Sequence, residues 1–442
     1  MRADGQVLLC DRARSQSGTA RLQRYPRQPG RRMTVEQLVP SPQPVDLDAV
    51  LTQMRGAAAH SLSPFSQPVK DFCAALSRAL FRDAEAKRYP ELQALAFGVR
   101  QAELARLEQE FRRWETADSV LAPRGLVFHV PPANVDTMFV YSWLVSVLMG
   151  NRNVIRISAS AGPQTGIVCR LFNAVLDECG DELRENTCML RYGHEREISA
   201  AISLAADVRI IWGGDETVRT IRAIPIGPQC KEIAFPDRYS FAVIEAAKYL
   251  ALDEGAQAKL AEQFYNDTFW FDQLACSSPR LVVWCGDSAA ARCAGAIFFG
   301  HLREQVARKG YALDTGARVN KFTFACRSIL DQYAADYEEW GSAITVLRLE
   351  EDRLLSRDHC GGGLLFQVHH TALEDLIPLI LQRDQTLTYF GFEPAALREF
   401  AIALNGRGID RLVPIGQALN FEHRWDGYDL FLELTRRIVI RS

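Results

Sequence analysis

Between Gly125 and Trp212, short apolar runs that stop at proline or glycine alternate with stretches of helical period. This alternation constrains the fold more than any other feature of the chain. Gly125-Leu-Val-Phe-His-Val-Pro-Pro is a short, mainly apolar run broken by proline, as a strand buried on both faces is. Asp136–Met149 follows with helical character, then Gly150-Asn-Arg-Asn and a second strand-like run, Val154-Ile-Arg-Ile-Ser. A helix over Gln164–Cys179 and a third run, Val208-Arg-Ile-Ile-Trp, lead into Gly213-Gly-Asp-Glu-Thr-Val and a further helix. Strands separated by helices need crossover connections, so the pattern predicts an α/β fold with a mostly parallel sheet and a ligand site at the carboxyl ends of its strands.

From about Asp46 to Ala117, apolar residues recur at three- and four-residue spacing, which predicts packing helices. Residues 1–45 read as a disordered tail. The first 32 carry eight arginines and two prolines but few large apolar residues and no secretory core. Met33 follows Arg31-Arg32 and opens a more ordinary sequence, so residues 1–32 also read as a candidate over-extension of the reading frame, while Asp4 and Asp11 are out of character for a mitochondrial presequence. The second half opens on Tyr239-Ser-Phe-Ala-Val-Ile and continues with a long helix over Gln257–Ala275. It then reaches Cys276-Ser-Ser-Pro-Arg, just before the strand Leu281-Val-Val-Trp.

The chain has 442 residues, 48% hydrophobic and 24% charged, enough material for two or three domains. A formal net charge of −3, with Lys and Arg spread along the chain, predicts no nucleic-acid partner. The longest weakly polar run, Met138 to Gly150, falls short of the roughly twenty residues that a spanning helix needs, so no membrane span is expected. Eleven cysteines stand singly, without a C-x-x-C pair or zinc-ligand spacing. That pattern points to a reducing cytoplasm and to no metal site.

Five places carry residue types suited to chemistry. In Pro131-Pro132-Ala-Asn134, the Asn134 amide is suited to holding an oxyanion or to capping the following helix. Arg156 and Ser158 sit at a strand end, where a guanidinium can meet a ribose or its 2′-phosphate or simply face solvent. Gly213-Gly214 is a strand-to-helix turn of the kind that meets a pyrophosphate, although it lacks the G-x-G-x-x-G fingerprint and Asp215 is also a natural helix cap. Cys276 follows a helix end, where a thiol is placed and accessible. His359-Cys-Gly-Gly-Gly is either a tight structural turn or the place of a second thiol, Cys360.

Taken in order, these features resemble the aldehyde dehydrogenase superfamily. Longer stretches narrow the resemblance to its LuxC-type acyl-CoA or fatty-acyl reductase branch: Pro123-Arg-Gly-Leu-Val-Phe-His-Val-Pro-Pro-Ala-Asn-Val, Ile211-Trp-Gly-Gly-Asp-Glu-Thr-Val, Lys231-Glu-Ile-Ala-Phe-Pro-Asp-Arg-Tyr-Ser-Phe, Phe269-Trp-Phe-Asp-Gln-Leu-Ala-Cys-Ser-Ser-Pro-Arg, Arg411-Leu-Val-Pro-Ile-Gly-Gln-Ala-Leu and Trp425-Asp-Gly-Tyr-Asp-Leu. The resemblance runs from about Asp46 to the C-terminus. It implies a Rossmann-type NADP-binding domain over 46–237, an α/β catalytic domain over 238–415, and a segment over 416–442 that returns to the cofactor domain or to an oligomer interface.

Residue by residue, the resemblance makes Cys276 the nucleophile and Asn134 an oxyanion donor, with the Cys276 backbone N–H as the second. Pro132, Arg156, Ser158, Gly213 and Gly214 fall on the cofactor side. Arg156 stands where the superfamily usually has lysine, which favours NADPH. Gly214-Asp215 replaces the usual Gly-Ser. Glu232 lies near the place of the general base, but Glu-Ile-Ala-Phe-Pro replaces the usual Glu-Leu-Gly-Gly. The implied reaction is reduction of a fatty acyl thioester, of coenzyme A or of a protein, to an aldehyde through acyl-Cys276. An acyl-protein synthetase partner and a homo-oligomer are implied with it. A cysteine acyltransferase without redox chemistry and a non-catalytic nucleotide-binding subunit are the competing expectations.

Overall fold

The computed structural model describes residues 32–56, 62–132, 135–179, 181–349 and 357–441. Seven strands build the first sheet in the spatial order Gln43–Asp46, Thr34–Val39, Thr187–Tyr192, Arg152–Ser158, Leu126–Val130, Val208–Trp212, Lys231–Phe235. The last five are mutually parallel, and the two amino-terminal strands add antiparallel pairings at one edge. Each parallel strand buries side chains on both faces. Val127, Ile155 and Met189 join one core, while Phe128, Val154 and Leu190 join the core on the other side.

Two expectations are corrected here. Residues 34–45, read as part of a disordered tail, form the two edge strands, because Val35, Leu38 and Val39 bury their side chains against the sheet. The arginine-rich composition ends at Arg32, and residues 1–31 lie outside the described residues. Between the helix Pro163–Cys179 and Val208 the chain also makes a strand, Thr187–Tyr192, and a helix, Arg196–Ala205, which the apolar pattern had not singled out.

The direction of chain travel reverses between the adjacent strands Leu126–Val130 and Val208–Trp212. A parallel sheet opens a crevice at the carboxyl ends of the strands flanking such a reversal. Pro132 follows one of these ends and Gly213-Gly214 the other.

The second sheet has the order Asp336–Trp340, Ile344–Arg348, Leu364–His370, Pro279–Cys285, Tyr239–Glu245, Asp384–Phe390, Arg411–Pro414. Its pairings are parallel except for the first. The chain passes from one sheet to the other through Pro236-Asp237-Arg238. The carboxyl end of Lys231–Phe235 therefore leads directly to the amino end of Tyr239–Glu245. Residues 416–441 then return to the first domain. Thr435–Val439 pairs with Ser119–Pro123, and Trp425, Leu430, Phe431 and Leu434 enter the first domain's core. His423 fastens this return, with Nε2 3.1 Å from Glu110 Oε2, Nδ1 3.0 Å from Asp429 Oδ1, and its ring stacked on Phe431.

Candidate active site

The helix that precedes Cys276 ends at Phe269, six residues earlier than its apolar pattern predicts. Phe271, Asp272 and Gln273 take left-handed backbone angles, φ 57°, 52° and 64°, so helical continuation stops there. The turn is held by the glycines of His359-Cys-Gly-Gly-Gly. Gly362 N–H donates to Asp272 O at 3.0 Å. Gln273 donates to Pro279 O and Leu364 O, both at 3.0 Å, and accepts from Gly363 N–H at 3.1 Å. A Cβ on Gly361 would stand 2.8 Å from Asp272 O, and φ of +69° disfavours any other residue as well. Of the two readings of this motif, the structure supports the structural turn. Burial pushes the Cys360 thiol up to about 11.

Cys276 emerges from this loop half-buried, and its side chain packs against the first domain's core. Its carbonyl accepts from Ser240 Oγ at 2.7 Å, and the same hydroxyl accepts from Thr386 N–H at 3.2 Å, which anchors the thiol to the amino ends of the second sheet's strands. Gln385, fully buried on the neighbouring strand, points Nε2 at Cys276 Sγ at 3.5 Å and also donates to Asp426 Oδ1. The Gln385 amide and the Trp425 indole N–H favour the thiolate. Burial, followed by the Asp426 carboxylate, outweighs them and raises the thiol above its ordinary value.

The wall facing this thiol comes from the other domain and from the returning C-terminal segment. Trp212 and Phe235, at the carboxyl ends of two first-sheet strands, stack with ring centres 3.6 Å apart. Tyr141 meets Trp212 and Trp425 edge-on or tilted and donates to Glu422 O at 2.5 Å. The Arg411 guanidinium lies 4.3 Å from the centre of the Trp425 ring. A buried relay orients Trp212: its indole N–H donates to Ser142 Oγ at 3.0 Å, and Ser142 Oγ is 2.7 Å from His129 Nδ1. His129 Nε2 is 3.0 Å from Asn153 Oδ1. Burial pushes His129 down to about 4, so it is neutral, and the acceptor at Asn153 assigns its proton to Nε2.

The residues expected on the cofactor side gather at the first sheet's carboxyl edge. Arg156, on Arg152–Ser158, lies 5.2 Å from the Tyr192 ring centre and donates to Gly193 O. No carboxylate among the described residues pairs with it, and its Nε is buried without a hydrogen-bond partner. Ser158 Oγ is 2.9 Å from Ser160 Oγ. Gly214 caps the helix Asp215–Arg222, and a Cβ there would meet no atom within 4 Å. Pro132 is described, but Asn134 lies outside the described residues.

The structure does not bring Glu232 to the thiol. It is the second residue of Lys231–Phe235, three residues or roughly 10 Å along the strand from the end that faces the cleft. Its carboxylate lies 2.8 Å from Arg209 Nε and 2.9 Å from Arg222 Nε. Gln385, Arg411, Trp425 and Asp426 line the thiol instead. The stretches holding Arg411 and Trp425-Asp426 were visible as family-like sequence without a role. Nothing in Arg383-Asp-Gln-Thr marked Gln385.

A family model described as acyl-CoA reductase (LuxC) matches residues 101–437. The chain is 25% identical over 308 residues to the long-chain acyl-protein thioester reductase of Aliivibrio fischeri, covering 66% of this chain and 59% of that protein. It is 26% identical over 200 residues to long-chain acyl-protein thioester reductase 2 of Photobacterium leiognathi, covering 44% and 38%. The chain thus matches less than two thirds of the length of these curated relatives. Among solved structures, the aldehyde dehydrogenase KauB of Pseudomonas aeruginosa aligns over 92% of both chains at 12% identity with a TM-score of 0.64. The Mycobacterium tuberculosis aldehyde dehydrogenase complexed with NAD+ aligns over 90% of both at 12% identity and 0.61. At such identities the likeness is one of fold, an aldehyde dehydrogenase-like α/β fold with two parallel-sheet domains.

Proposed function

This chain belongs to the acyl-CoA reductase (LuxC) family, and on that premise we propose that it is an oxidoreductase that reduces a long-chain acyl thioester to an aldehyde through an acyl group carried on Cys276. The observation that carries this reading is the half-buried thiol at the interdomain cleft, hydrogen-bonded by Gln385 and facing the strand ends where cofactor-side residues gather. In the proposed reaction Cys276 attacks the acyl carbon and displaces the donor thiol. Asn134 and the Cys276 backbone N–H are the proposed oxyanion donors. The aromatic wall of Trp212, Phe235 and Trp425 keeps water from the acyl-enzyme, which favours reduction over hydrolysis.

The open space at Gly214 and the guanidinium of Arg156, which has no carboxylate partner among the described residues and a buried Nε without a hydrogen bond, fit a nicotinamide dinucleotide. Pro132, Ser158, Gly213 and Gly214 would line it, and Arg156 would take a 2′-phosphate, so NADPH is the proposed cofactor. When bound, it supplies the hydride. The donor is proposed to be a thioester of coenzyme A or of a protein, and the names of the two relatives support the second. A homo-oligomer is also proposed, supported by exposed Val120, Ile438, Val439 and Ile440 along the paired outer strands. A cytoplasmic setting, where thiols stay reduced, is the proposed location.

The test is intact-protein mass spectrometry after incubation with long-chain acyl-CoAs, with and without NADPH. An adduct on Cys276 that NADPH discharges as aldehyde, and that Cys276→Ala abolishes, supports the reading. An adduct on another cysteine overturns it. Turnover that ignores nicotinamide would mark a cysteine acyltransferase.

A further inference from the structure

Asp426 and Gly427 turn the hairpin between Arg424–Trp425 and Tyr428–Asp429 with φ of 49° and 75°. Two left-handed residues in a two-residue hairpin turn favour Asn-Gly or Asp-Gly, so the turn alone accounts for a small polar residue at 426. It does not account for where the side chain goes. A carboxylate at a hairpin tip ordinarily faces water, yet this side chain is 4% exposed. Its Oδ1 accepts from the same Gln385 nitrogen that reaches Cys276 Sγ. Its Oδ2 is buried without a hydrogen-bond partner, 3.7 Å from Arg238 Nε. The charged and titratable groups facing it are Arg238, Asp410, Arg411, Tyr141 and the thiol.

We propose that Asp426 is the base for acylation of Cys276: its carboxylate, which shares the Gln385 amide with the sulfur, takes the thiol proton as sulfur bonds to the acyl carbon. As the carbon–sulfur bond to the donor breaks, the carboxylic acid passes that proton to the departing thiolate. One proton leaves Cys276 and one arrives on the donor thiol, so the half-reaction balances without a reductant. The role rests on the reading of Cys276 as acyl carrier. Burial pushes the Asp426 carboxyl up to about 6, which keeps it ionised at neutral pH while making it a far better proton acceptor than an exposed aspartate. Burial and the Asp426 charge hold the resting thiol protonated, so the sulfur needs such an acceptor. Glu232, the other carboxylate considered for this duty, stands roughly 10 Å along its strand from the end that faces the cleft.

Asp426→Asn separates base from turn, because Asn suits the left-handed position and keeps an oxygen to accept from Gln385. Two rates are measured from pH 5 to 9 on the full chain: acylation by long-chain acyl-CoA without NADPH, and alkylation of Cys276 by iodoacetamide. In the wild type, acylation should climb as pH passes about 6 from below. In the variant it should fall by roughly 10²–10³-fold and lose that limb. Alkylation should hold or rise, since removing a negative neighbour eases thiol ionisation. Acylation within twofold of the wild type, or a parallel loss of both rates, would overturn the role. A wild-type protein with no adduct on Cys276 would overturn the acyl-carrier reading itself, a result separable from the behaviour of the variant.

Discussion

Gln273 clasps Gly363 across the base of the thiol loop: its Oε1 accepts the Gly363 N–H at 3.1 Å while its Nε2 donates to Leu364 O at 3.0 Å. One buried amide thus ties the turn that follows the helix Glu254–Phe269 to the start of the strand Leu364–His370. Gln273→Leu leaves the Gly363 N–H and the carbonyls of Leu364 and Pro279 without this partner, at a cost of about 2–4 kcal/mol. Gly363→Ala should cost at least as much, because its Cβ would stand 2.3 Å from Ala343 O at a φ of +74°. Urea unfolding checks both as a lowered midpoint at unchanged slope. A wild-type midpoint for Gln273→Leu would show that the clasp carries no load.

The ion pair between Glu232 and Arg209 predicts a structural phenotype. Arg209 is 1% exposed and also donates to Ser203 Oγ and Ile224 O, so neutralising its partner strands a buried guanidinium. Glu232→Gln should lower stability by roughly 2–4 kcal/mol. The rate of acyl-adduct formation on Cys276 should stay near that of the wild type when measured below the unfolding transition. A variant of normal stability that no longer acylates would return Glu232 to the reaction.

Much of this arrangement was legible because local pattern and tertiary placement agreed. The run Gly125 to Val130 is mainly apolar since both faces of its strand are covered, and proline ends it at the cleft. The thiol stood out only through the order of motifs around it. Thr187–Tyr192 escaped notice because Arg191 interrupts a short apolar run that nothing else marks as a strand. Gln385 and Asp426 were illegible for a different reason. They lie 109 and 150 positions from Cys276, and only the return of residues 416–441 and the register of Asp384–Phe390 bring them together. An Asp-Gly pair announces a turn, but its burial depends on what the turn is packed into.

Asp267 sets a pH dependence of stability. Its oxygens accept from Gly416 N–H at 2.6 Å and Ala418 N–H at 2.9 Å, supporting the loop after the strand Arg411–Pro414. Burial outweighs these bonds and pushes the carboxyl up to about 7. The unfolded chain titrates the same group near about 4, so the folded state binds more protons between those values. The sign follows: this contribution is complete below about pH 4 and is lost as pH rises through 7. Relative to Asp267→Asn, the wild-type unfolding midpoint should therefore decline from pH 4 to 7 and level off above it. A difference flat across that interval would contradict the assignment.

Arg156 should decide which nicotinamide dinucleotide is used. Its guanidinium packs on Tyr192, is anchored by Gly193 O, and meets no neutralising carboxylate among the described residues, so a fixed positive charge waits at the sheet's carboxyl edge. A 2′-phosphate there gains a charge-assisted contact of about 1.5–3 kcal/mol, which a ribose hydroxyl does not. Arg156→Ala should raise the apparent KM for NADPH by roughly 10–100-fold and that for NADH by less than about threefold. Arg156→Lys should fall between, since lysine keeps the charge but not the planar fork. Steady-state aldehyde formation with each dinucleotide measures both. Equal losses for the two would place Arg156 in the support of the strand edge, with Tyr192, and remove it from phosphate recognition.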